Sequence, residues 1–257
     1  MQLRSYKMGL FNNITQSHQH TQSLRDLLYQ YDSFLDSLEV IADFGCGSGL
    51  DIEWWAKLET RDDPPEPRNY LCYAVDKNIK QIKPHILELP NVKAIECDLE
   101  DDRFIPRQID LVWCHDVFQY MTNPIYTLSK WNEMINENGM LILSVPQSNF
   151  FSYNRPQNIS YNGWYFNHNI VNLMYMLAVN GFDCRDAYFY KEPNTMWLHV
   201  AVYKSQIPPM NPKTSTWFDI VDANLVNDSV AECLNQYGYV KQDSIITTWL
   251  DKDNYRQ

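Results

Sequence analysis

ADFGCGSGLD, residues 42–51, holds three of the eight glycines of this 257-residue chain, at positions 45, 47 and 49. Glycine permits positive φ and close backbone approach, at a cost in conformational entropy. Residues 39–44 (EVIADF) form an apolar run typical of a buried strand, and residues 50–60 follow with a helical apolar pattern. A strand, a glycine loop and a helix N-terminus in that order are typical of a nucleotide-binding crevice. An ordinary tight turn is the alternative, although one turn seldom needs three glycines.

The alternation of strand-like and helix-like patterns continues along the chain. It predicts an α/β protein with a doubly wound, mostly parallel sheet and helices on both faces. Two apolar runs separated by EPNT predict a closing hairpin. The predicted strands are 39–44, 70–76, 92–99, 109–114, 139–146 and the two hairpin strands 182–191 and 196–204; the predicted helices are 17–37, 50–60, 78–89 (bent or delayed by Pro84), 125–137, about 166–180, and two short ones at VAECLNQYG and DSIITTWLD.

Composition limits the class of protein. The net charge of −11, with no basic run, disfavours binding to long nucleic-acid duplexes, although a local basic groove stays open. No run approaches 18 apolar residues, and the N-terminus lacks the apolar core of a leader peptide. The six cysteines lack the spacing of a metal site or disulfide framework. We therefore expect a soluble cytoplasmic protein with reduced thiols, no metal site and no membrane contact.

The glycine spacing separates two kinds of cofactor. A dinucleotide fingerprint is GxGxxG, whereas residues 45–49 are GxGxG and the position for the third glycine holds Leu50. Asp43 precedes the loop, and Asp51 and Glu53 follow it in the first helical turn. Acids there suit the helix dipole but not a neighbouring pyrophosphate. A ligand with an ammonium, a sulfonium and one carboxylate suits this loop better, which describes S-adenosylmethionine.

ADFGCGSG resembles the first motif of the class I S-adenosylmethionine-dependent methyltransferases, in particular their small-molecule, type 11-like domains. The segments YAVD, ECDLED, IDLVWCHDVFQYM and ENGMLILSVP and the hairpin resemble later parts of the family in the same order, over roughly residues 39–204. The resemblance implies a seven-stranded, Rossmann-like methyltransferase fold with S-adenosylmethionine as cofactor. RDDPPEPRN (61–69) departs from the family and is expected to be a surface insertion, which costs little in loop closure.

The resemblance also implies which residues hold the cofactor. A carboxylate at Asp76 accepts both ribose hydroxyls, although dinucleotide folds also place an acid here and a strand-end cap is the alternative. Asp98 accepts from the adenine amino group, with a solvated acidic loop as the alternative, and Leu99 offers its N–H and an apolar wall. Cys114 and His115 face the methionine end. The full predicted cofactor set is Asp43, Gly45, Cys46, Gly47, Gly49, Asp76, Lys77, Asp98, Leu99, Cys114 and His115.

A base is required only if the acceptor arrives protonated, because methyl transfer depends mainly on positioning. His115, directly after the fourth strand, is the predicted base, and a structural histidine in the cofactor wall is the alternative. Asp116, Tyr120 and His168 are weaker candidates, and His199 is predicted to be a hydrogen-bonded core residue.

The aromatic segment 147–165 is predicted to close over the substrate, with a loop that only packs on the body as the alternative. The predicted substrate-contacting residues are Tyr120, Phe151, Tyr153, Arg155 and Trp164. They would enclose an apolar or planar acceptor, and the arginine would hold a carboxylate or phosphate.

We expect an N-terminal helical cap (1–38), the cofactor-binding domain (39–205) and a linker with a helical extension (206–257). The predicted function is methyl transfer to a small molecule. A non-catalytic S-adenosylmethionine-binding partner protein and an RNA or DNA methyltransferase are the alternatives. Neither the acceptor nor the oligomeric state, a homo-oligomer included, follows from the sequence.

Overall fold

A computed structural model describes residues 25, 28, 32–101, 108–146, 166, 168–191, 197–242 and 245. These residues form one seven-stranded sheet with helices on both faces. The strands are β1 (Val40–Phe44), β2 (Leu71–Asp76), β3 (Val92–Glu96), β4 (Ile109–His115), β5 (Ile135–Pro146), β6 (Phe182–Lys191) and β7 (Trp197–Lys204). The helices are α1 (Asp32–Asp36), α2 (Leu50–Ala56), α3 (Pro84–Leu87), α4 (Pro124–Met134), α5 (Ile170–Val179), α6 (Trp217–Asp222) and α7 (Asp228–Tyr237), with 3₁₀ turns at Ile79–Gln81 and Phe118–Tyr120.

The strand order is β3-β2-β1-β4-β5-β7-β6. The first five strands in this order run parallel, and β7 pairs antiparallel with both β5 and β6. The predicted parallel sheet and closing hairpin are therefore confirmed. The chain moves outward from β1 to β3 and then returns to place β4 beside β1. This reversal opens a crevice at the carboxyl ends of β1 and β4, where open α/β sheets bind ligands.

Alternating side chains of the strands face two separate cores, as the two-residue period of a strand requires. Leu35 of α1, Trp55 of α2 and Ile86 of α3 cover one face. Trp131 of α4 and Leu177 of α5 cover the other. The strand residues behind both faces are buried, which accounts for their near-continuous apolar runs.

Several element bounds differ from the sequence-based prediction. The helix predicted over 125–137 ends at Met134, and β5 begins at once with Ile135, which pairs with Ile109. The Lys204 ammonium donates to the carbonyls of Asn132 and Ile135, at 2.8 Å each, and so satisfies groups left open by the helix end. Pro84 occupies the first turn of α3, so the helix is delayed to Pro84, one of the two predicted alternatives, and is not bent there.

Both ends of the chain contribute to the same two cores as the sheet. Leu28 joins the core under α2, and Ile220 and Leu234 join the opposite core. The helix predicted at VAECLNQYG is confirmed as α7, whereas α6 was not predicted; DSIITTWLD lies outside the described residues except for Ile245. The insertion at 61–69 is exposed apart from the half-buried Arg68, as predicted. The domain boundaries at 38/39 and 205/206 stay predictions.

No helix in the described part of the chain has the length and apolar character needed to cross a membrane.

Candidate functional site

The glycine loop is held between the ends of β2 and β4. Gly45 has φ +80°, and a Cβ atom there would lie 2.3 Å from Cγ2 of Val117, so both backbone conformation and space require glycine. The N–H groups of Gly45 and Cys46 donate to the carbonyl of Val75 at 2.8 and 3.1 Å. The loop then leads into α2, for which Gly49 is the N-cap. Its path is therefore fixed from both neighbouring strands.

Asp76 ties the middle of the loop to the end of β2. Gly47 has φ +51°, and a Cβ atom there would have nothing within 4 Å, so the loop faces open space at this point. The Gly47 N–H donates to Oδ2 of Asp76 at 3.0 Å. Oδ1 of Asp76 accepts from the Asn78 N–H at 2.9 Å and from the Gln81 amide at 3.2 Å. A carboxylate accepts about four hydrogen bonds, so this buried group keeps capacity for one more.

Asp43 lies buried at the end of β1, just before the loop. Its side chain is 2% exposed, and its Oδ2 has no hydrogen-bond partner among the described residues. Burial raises the pKa of Asp43 to about 7; the positive charge of Arg25 lowers it, and the negative charge of Asp76 raises it further. An ionised carboxylate here lacks a full complement of partners, so the site favours a cationic group beside it.

Asp51, in the first turn of α2, forms an ion pair and a hydrogen bond with other residues of the protein. It forms an ion pair with Arg25, whose side chain is 3% exposed. The indole N–H of Trp113 donates to Oδ2 of Asp51 at 3.0 Å. The Arg25 guanidinium also lies 5.3 Å from the centre of the Trp54 ring. Asp51 therefore points toward the N-terminal segment, and its negative charge is balanced there.

Arg25 is the site residue that the sequence interpretation missed. It lies within the helical pattern of residues 17–37, and no motif marks it. The sequence pointed to such a residue only indirectly: three acids flank the glycine loop, and buried acids need a cation nearby.

His115 ends β4 on the same face of the sheet as Asp43. It is half-buried, and its ring centre lies 5.1 Å from that of Trp197 on β7, with the planes at 34°. Cys114 is fully buried on the opposite face, in the core that contains Phe118. The two neighbours were expected to face the cofactor together, but successive strand residues point to opposite faces. Only the backbone of Cys114 is available to the crevice.

The turn after β4 holds an unusual backbone conformation. Asp116 has φ +58°, which is uncommon for any residue other than glycine. Its N–H donates to the carbonyl of Ser144 at 2.9 Å, and its Oδ1 accepts from the Gln119 amide at 2.6 Å. These bonds maintain the conformation that brings Val117 against Gly45. Tyr120 follows in the 3₁₀ turn and is half-buried.

The predicted adenine residues lie after β3. Asp98 is exposed, and its Oδ1 accepts from the Glu100 N–H at 3.0 Å. The Leu99 side chain is buried in the core, and its carbonyl accepts from the Trp131 indole N–H at 3.3 Å; its role beside the adenine stays a prediction. Lys77, after β2, is exposed.

The two remaining histidines differ in environment. His199 is fully buried, and its Nδ1 shares a 2.7 Å hydrogen bond with the Ser144 hydroxyl, which confirms the predicted core role. His168 is 1% exposed and stacks on Phe118 at 5.2 Å. Burial lowers the pKa of His168 to about 4, so it is neutral at physiological pH. The predicted substrate residues Phe151, Tyr153, Arg155 and Trp164 lie outside the described residues.

Two surface grooves lie away from the glycine loop. One, of about 590 Å³, lies between α5 and the C-terminal residues and includes Tyr175 and Trp217. The other, of about 450 Å³, lies beside the start of β6 and includes Asp183 and Lys204. Neither is lined by a residue of the predicted cofactor set. The candidate site is therefore defined by the crevice at β1, β2 and β4.

Residues 42–143 match the family model described as a methyltransferase domain. Malonyl-[acyl-carrier protein] O-methyltransferase 2 of Coxiella burnetii is 30% identical over 108 residues, which are 42% of this chain and 41% of the relative. The match thus spans about two fifths of the length of that curated relative. The CurJ carbon methyltransferase is 14% identical with a TM-score of 0.52, over 66% of this chain and 49% of that one. Magnesium protoporphyrin IX methyltransferase from Synechocystis PCC 6803, solved with bound SAH, is 17% identical with a TM-score of 0.50, over 72% and 84%.

Residues 42–143 are therefore a methyltransferase domain, and the resemblance to the class I S-adenosylmethionine-dependent methyltransferases is confirmed for this segment. The solved structures confirm the Rossmann-like methyltransferase fold. The family match of residues 42–143 supports the predicted enzyme class and the predicted cofactor, S-adenosylmethionine; the activity of the whole chain is a proposal.

Proposed function

We propose that the whole chain transfers a methyl group from S-adenosylmethionine to a small-molecule acceptor. The observation that carries this proposal is the buried carboxylate of Asp43, whose Oδ2 lacks a partner among the described residues at the edge of a glycine-lined crevice. Together with Asp76, it gives the crevice negative charge beside an open loop. Such a site suits a cationic ligand and would repel a pyrophosphate.

The residues at the three strand ends fit the parts of this cofactor. Asp76 has one remaining acceptor position for a ribose hydroxyl. Asp43 supplies a negative charge for the ammonium and sulfonium groups. We assign the adenine to the Asp98 carboxylate and the Leu99 N–H, near the exposed Lys77. The glycine loop, through Gly45, Cys46, Gly47 and Gly49, contributes backbone groups only.

The bound cofactor supplies an activated methyl group, so the protein must orient the acceptor and exclude water. His115 stands at the end of β4, and its ring is packed against Trp197, which restricts its orientation. We propose His115 as the group that accepts a proton from the acceptor when one must be lost. After losing this proton, the nucleophilic atom of the acceptor must lie in line with the methyl group of the cofactor. Tyr120, in the turn after His115, is proposed to line the acceptor side.

A small-molecule acceptor is supported by the net charge and by the name of one solved neighbour. The net charge of −11 opposes association with a phosphate backbone. The solved neighbour from Synechocystis is named for magnesium protoporphyrin IX, and the curated relative for malonyl-[acyl-carrier protein]. The first of these names a small planar acceptor, in keeping with the aromatic segment 147–165. Cytoplasmic location stays a prediction from the cysteine pattern.

The cofactor assignment is tested by calorimetric titration of S-adenosylmethionine into the wild type and into Asp76→Asn. The substitution keeps the shape and removes the charge, so we expect binding to weaken about tenfold or more, as for the loss of a charge-assisted hydrogen bond. Glu96→Gln is the matched control, because Glu96 pairs with Asp76 in register but is exposed. Equal affinity in wild type and Asp76→Asn contradicts the assignment.

The acceptor class is tested by transfer of labelled methyl from S-adenosylmethionine to separate pools of host-cell metabolites, RNA, DNA and protein. Label in the metabolite pool supports the proposal. Label in RNA or DNA indicates a nucleic-acid methyltransferase. Tight cofactor binding without transfer to any pool indicates a non-catalytic binding protein.

A further inference from the structure

Arg25 reaches from the N-terminal segment to the first turns of α2, beside the glycine loop. Its side chain is 3% exposed, forms an ion pair with Asp51 and lies 5.3 Å from the Trp54 ring. Both partners belong to α2, which begins directly after the glycine loop. A buried arginine keeps its charge, so it must be matched by acids. The ion pair therefore links the N-terminal segment to the first turn of α2.

The charge of Arg25 also acts on Asp43, which lies at the other end of the loop. The charged groups acting on Asp43 are Arg25 from the N-terminal segment and Asp76 from β2. Three buried thiols are close enough to be affected by the charge of Asp43: Cys46 in the loop, Cys72 in β2, and Cys114 in β4, whose side chain lies in the opposite core. Burial raises the pKa of each thiol, so all three are uncharged near neutral pH. The charge of Asp43 thus depends on its burial, which opposes ionisation, on Arg25, which favours it, and on Asp76, which opposes it.

We infer that Arg25 is a positioning residue of the cofactor site: through Asp51 it fixes the start of α2 and the glycine loop, and its charge favours the ionised form of Asp43, which receives a cationic ligand. The site is complete only when the residue from the N-terminal segment is in place. This inference rests on the proposed function, since it concerns the binding of S-adenosylmethionine. It makes Arg25, which the sequence assigned to a separate cap, a part of the cofactor site.

The test measures the affinity for S-adenosylmethionine from pH 6 to pH 9 in the wild type and in Arg25→Met. An arginine beside a carboxyl lowers its pKa by about 1 to 3 units. With a wild-type pKa of about 7 for Asp43, half of the sites are ionised at pH 7. A rise of about one unit leaves about a tenth ionised, which weakens binding about fivefold at pH 7. This part of the loss disappears toward pH 9.

The ratio of the two affinities is the quantity to follow, because titration of the ligand itself cancels in it. Arg68→Met is the matched control. Arg68 is a second arginine whose side chain is 3% exposed and ion-paired, in this case with Asp36, but it lies before β2 at the opposite edge of the sheet. We expect this control to lose stability without changing the affinity ratio across the pH range. If Arg25 had only a structural role, Arg25→Met would likewise lose stability with no change in its affinity ratio between pH 6 and pH 9.

Two further variants keep the test decisive if Arg25→Met fails to fold. Arg25→Met combined with Asp51→Asn removes the uncompensated acid and is expected to show the same pH-dependent loss of affinity. Arg25→Lys retains the charge and is expected to keep the wild-type pH dependence.

The outcomes separate this inference from the proposed function. No binding of S-adenosylmethionine by the wild type at any pH overturns both. Wild-type binding together with an affinity ratio that does not change from pH 6 to pH 9 overturns the role of Arg25 and leaves the proposed function intact. The inference is supported if the ratio of wild-type to Arg25→Met affinity falls from pH 6 to pH 9 while the same ratio for Arg68→Met stays constant.

Discussion

Replacing Asp43 by asparagine is expected to stabilise the folded protein at neutral and alkaline pH and to leave its stability nearly unchanged in acid. The carboxyl is 2% exposed, and its Oδ2 has no hydrogen-bond partner among the described residues. Ionising such a group is unfavourable in the folded state and easy in the unfolded chain. Asparagine has the same shape and no charge, so it removes this difference.

The size of the effect follows from the two pKa values of Asp43. The folded state has a pKa of about 7, against 3.8 for the ordinary carboxyl. The higher folded value means that the stability linked to the bound proton is complete below about pH 4 and is lost as the pH rises to about 7. About three pKa units correspond to about 4 kcal/mol. Asp43→Asn should therefore be more stable than the wild type by up to about 4 kcal/mol at pH 8, and by about zero at pH 4.

Urea unfolding at a series of pH values from 4.5 to 8 measures this difference. Asp183→Asn is the control whose stability difference from the wild type should stay constant over this range, because the pKa of Asp183 lies below the ordinary carboxyl value of 3.8. The hydrogen bonds from Arg185 outweigh partial burial and lower the pKa of Asp183, so its stabilising effect is present near neutral pH and is lost as the pH falls through the folded pKa. A difference between Asp43→Asn and wild type that changes by less than about 0.5 kcal/mol over this range would refute the reasoning, since it lies within the error of the extrapolation.

Three further predictions concern the loop and its surroundings. Gly45→Ala should destabilise the fold by about 3 kcal/mol, from its left-handed φ and its overlap with Val117, whereas Gly47→Ala should cost only about 1 kcal/mol by urea unfolding; equal costs would contradict the described loop. Trp113→Phe should lose about 2 kcal/mol by the same measurement, because Asp51 loses a buried donor, and no loss would mean that water replaces it. The six buried cysteines should react with a thiol reagent only after unfolding, and a fast-reacting thiol in the native protein would be inconsistent with their burial.

Much of the fold was predictable because its signals are local. The buried strands β1, β2 and β4 are continuous apolar runs, and the glycines at 45, 47 and 49 mark the turn between β1 and α2. Helix ends were less predictable. The end of α4 at Met134 depends on Lys204, which reaches it from β7 across 70 residues of sequence and therefore leaves no local signal.

Site residues at strand ends were predictable because the carboxyl ends of parallel strands lie at one edge of the sheet. Asp43 is the last residue but one of β1, Asp76 is the last residue of β2, and the structure places both beside the loop. The direction of each side chain was harder to predict. Cys114 and His115 are neighbours in sequence, yet the pleat of β4 places one in the core and the other at the crevice.

The sequence by itself determined the class of fold, the position of the crevice and the kind of ligand it favours, because strand periodicity, glycine spacing and the order of acids are properties of short segments. Only the tertiary structure decided how the charges are balanced. Folding brings Arg25 from the N-terminal segment to the two acids that flank the glycine loop, Asp43 and Asp51, and burial raises the pKa of Asp43 to about 7. Burial and through-space charge depend on the packed environment, which no single stretch of sequence contains.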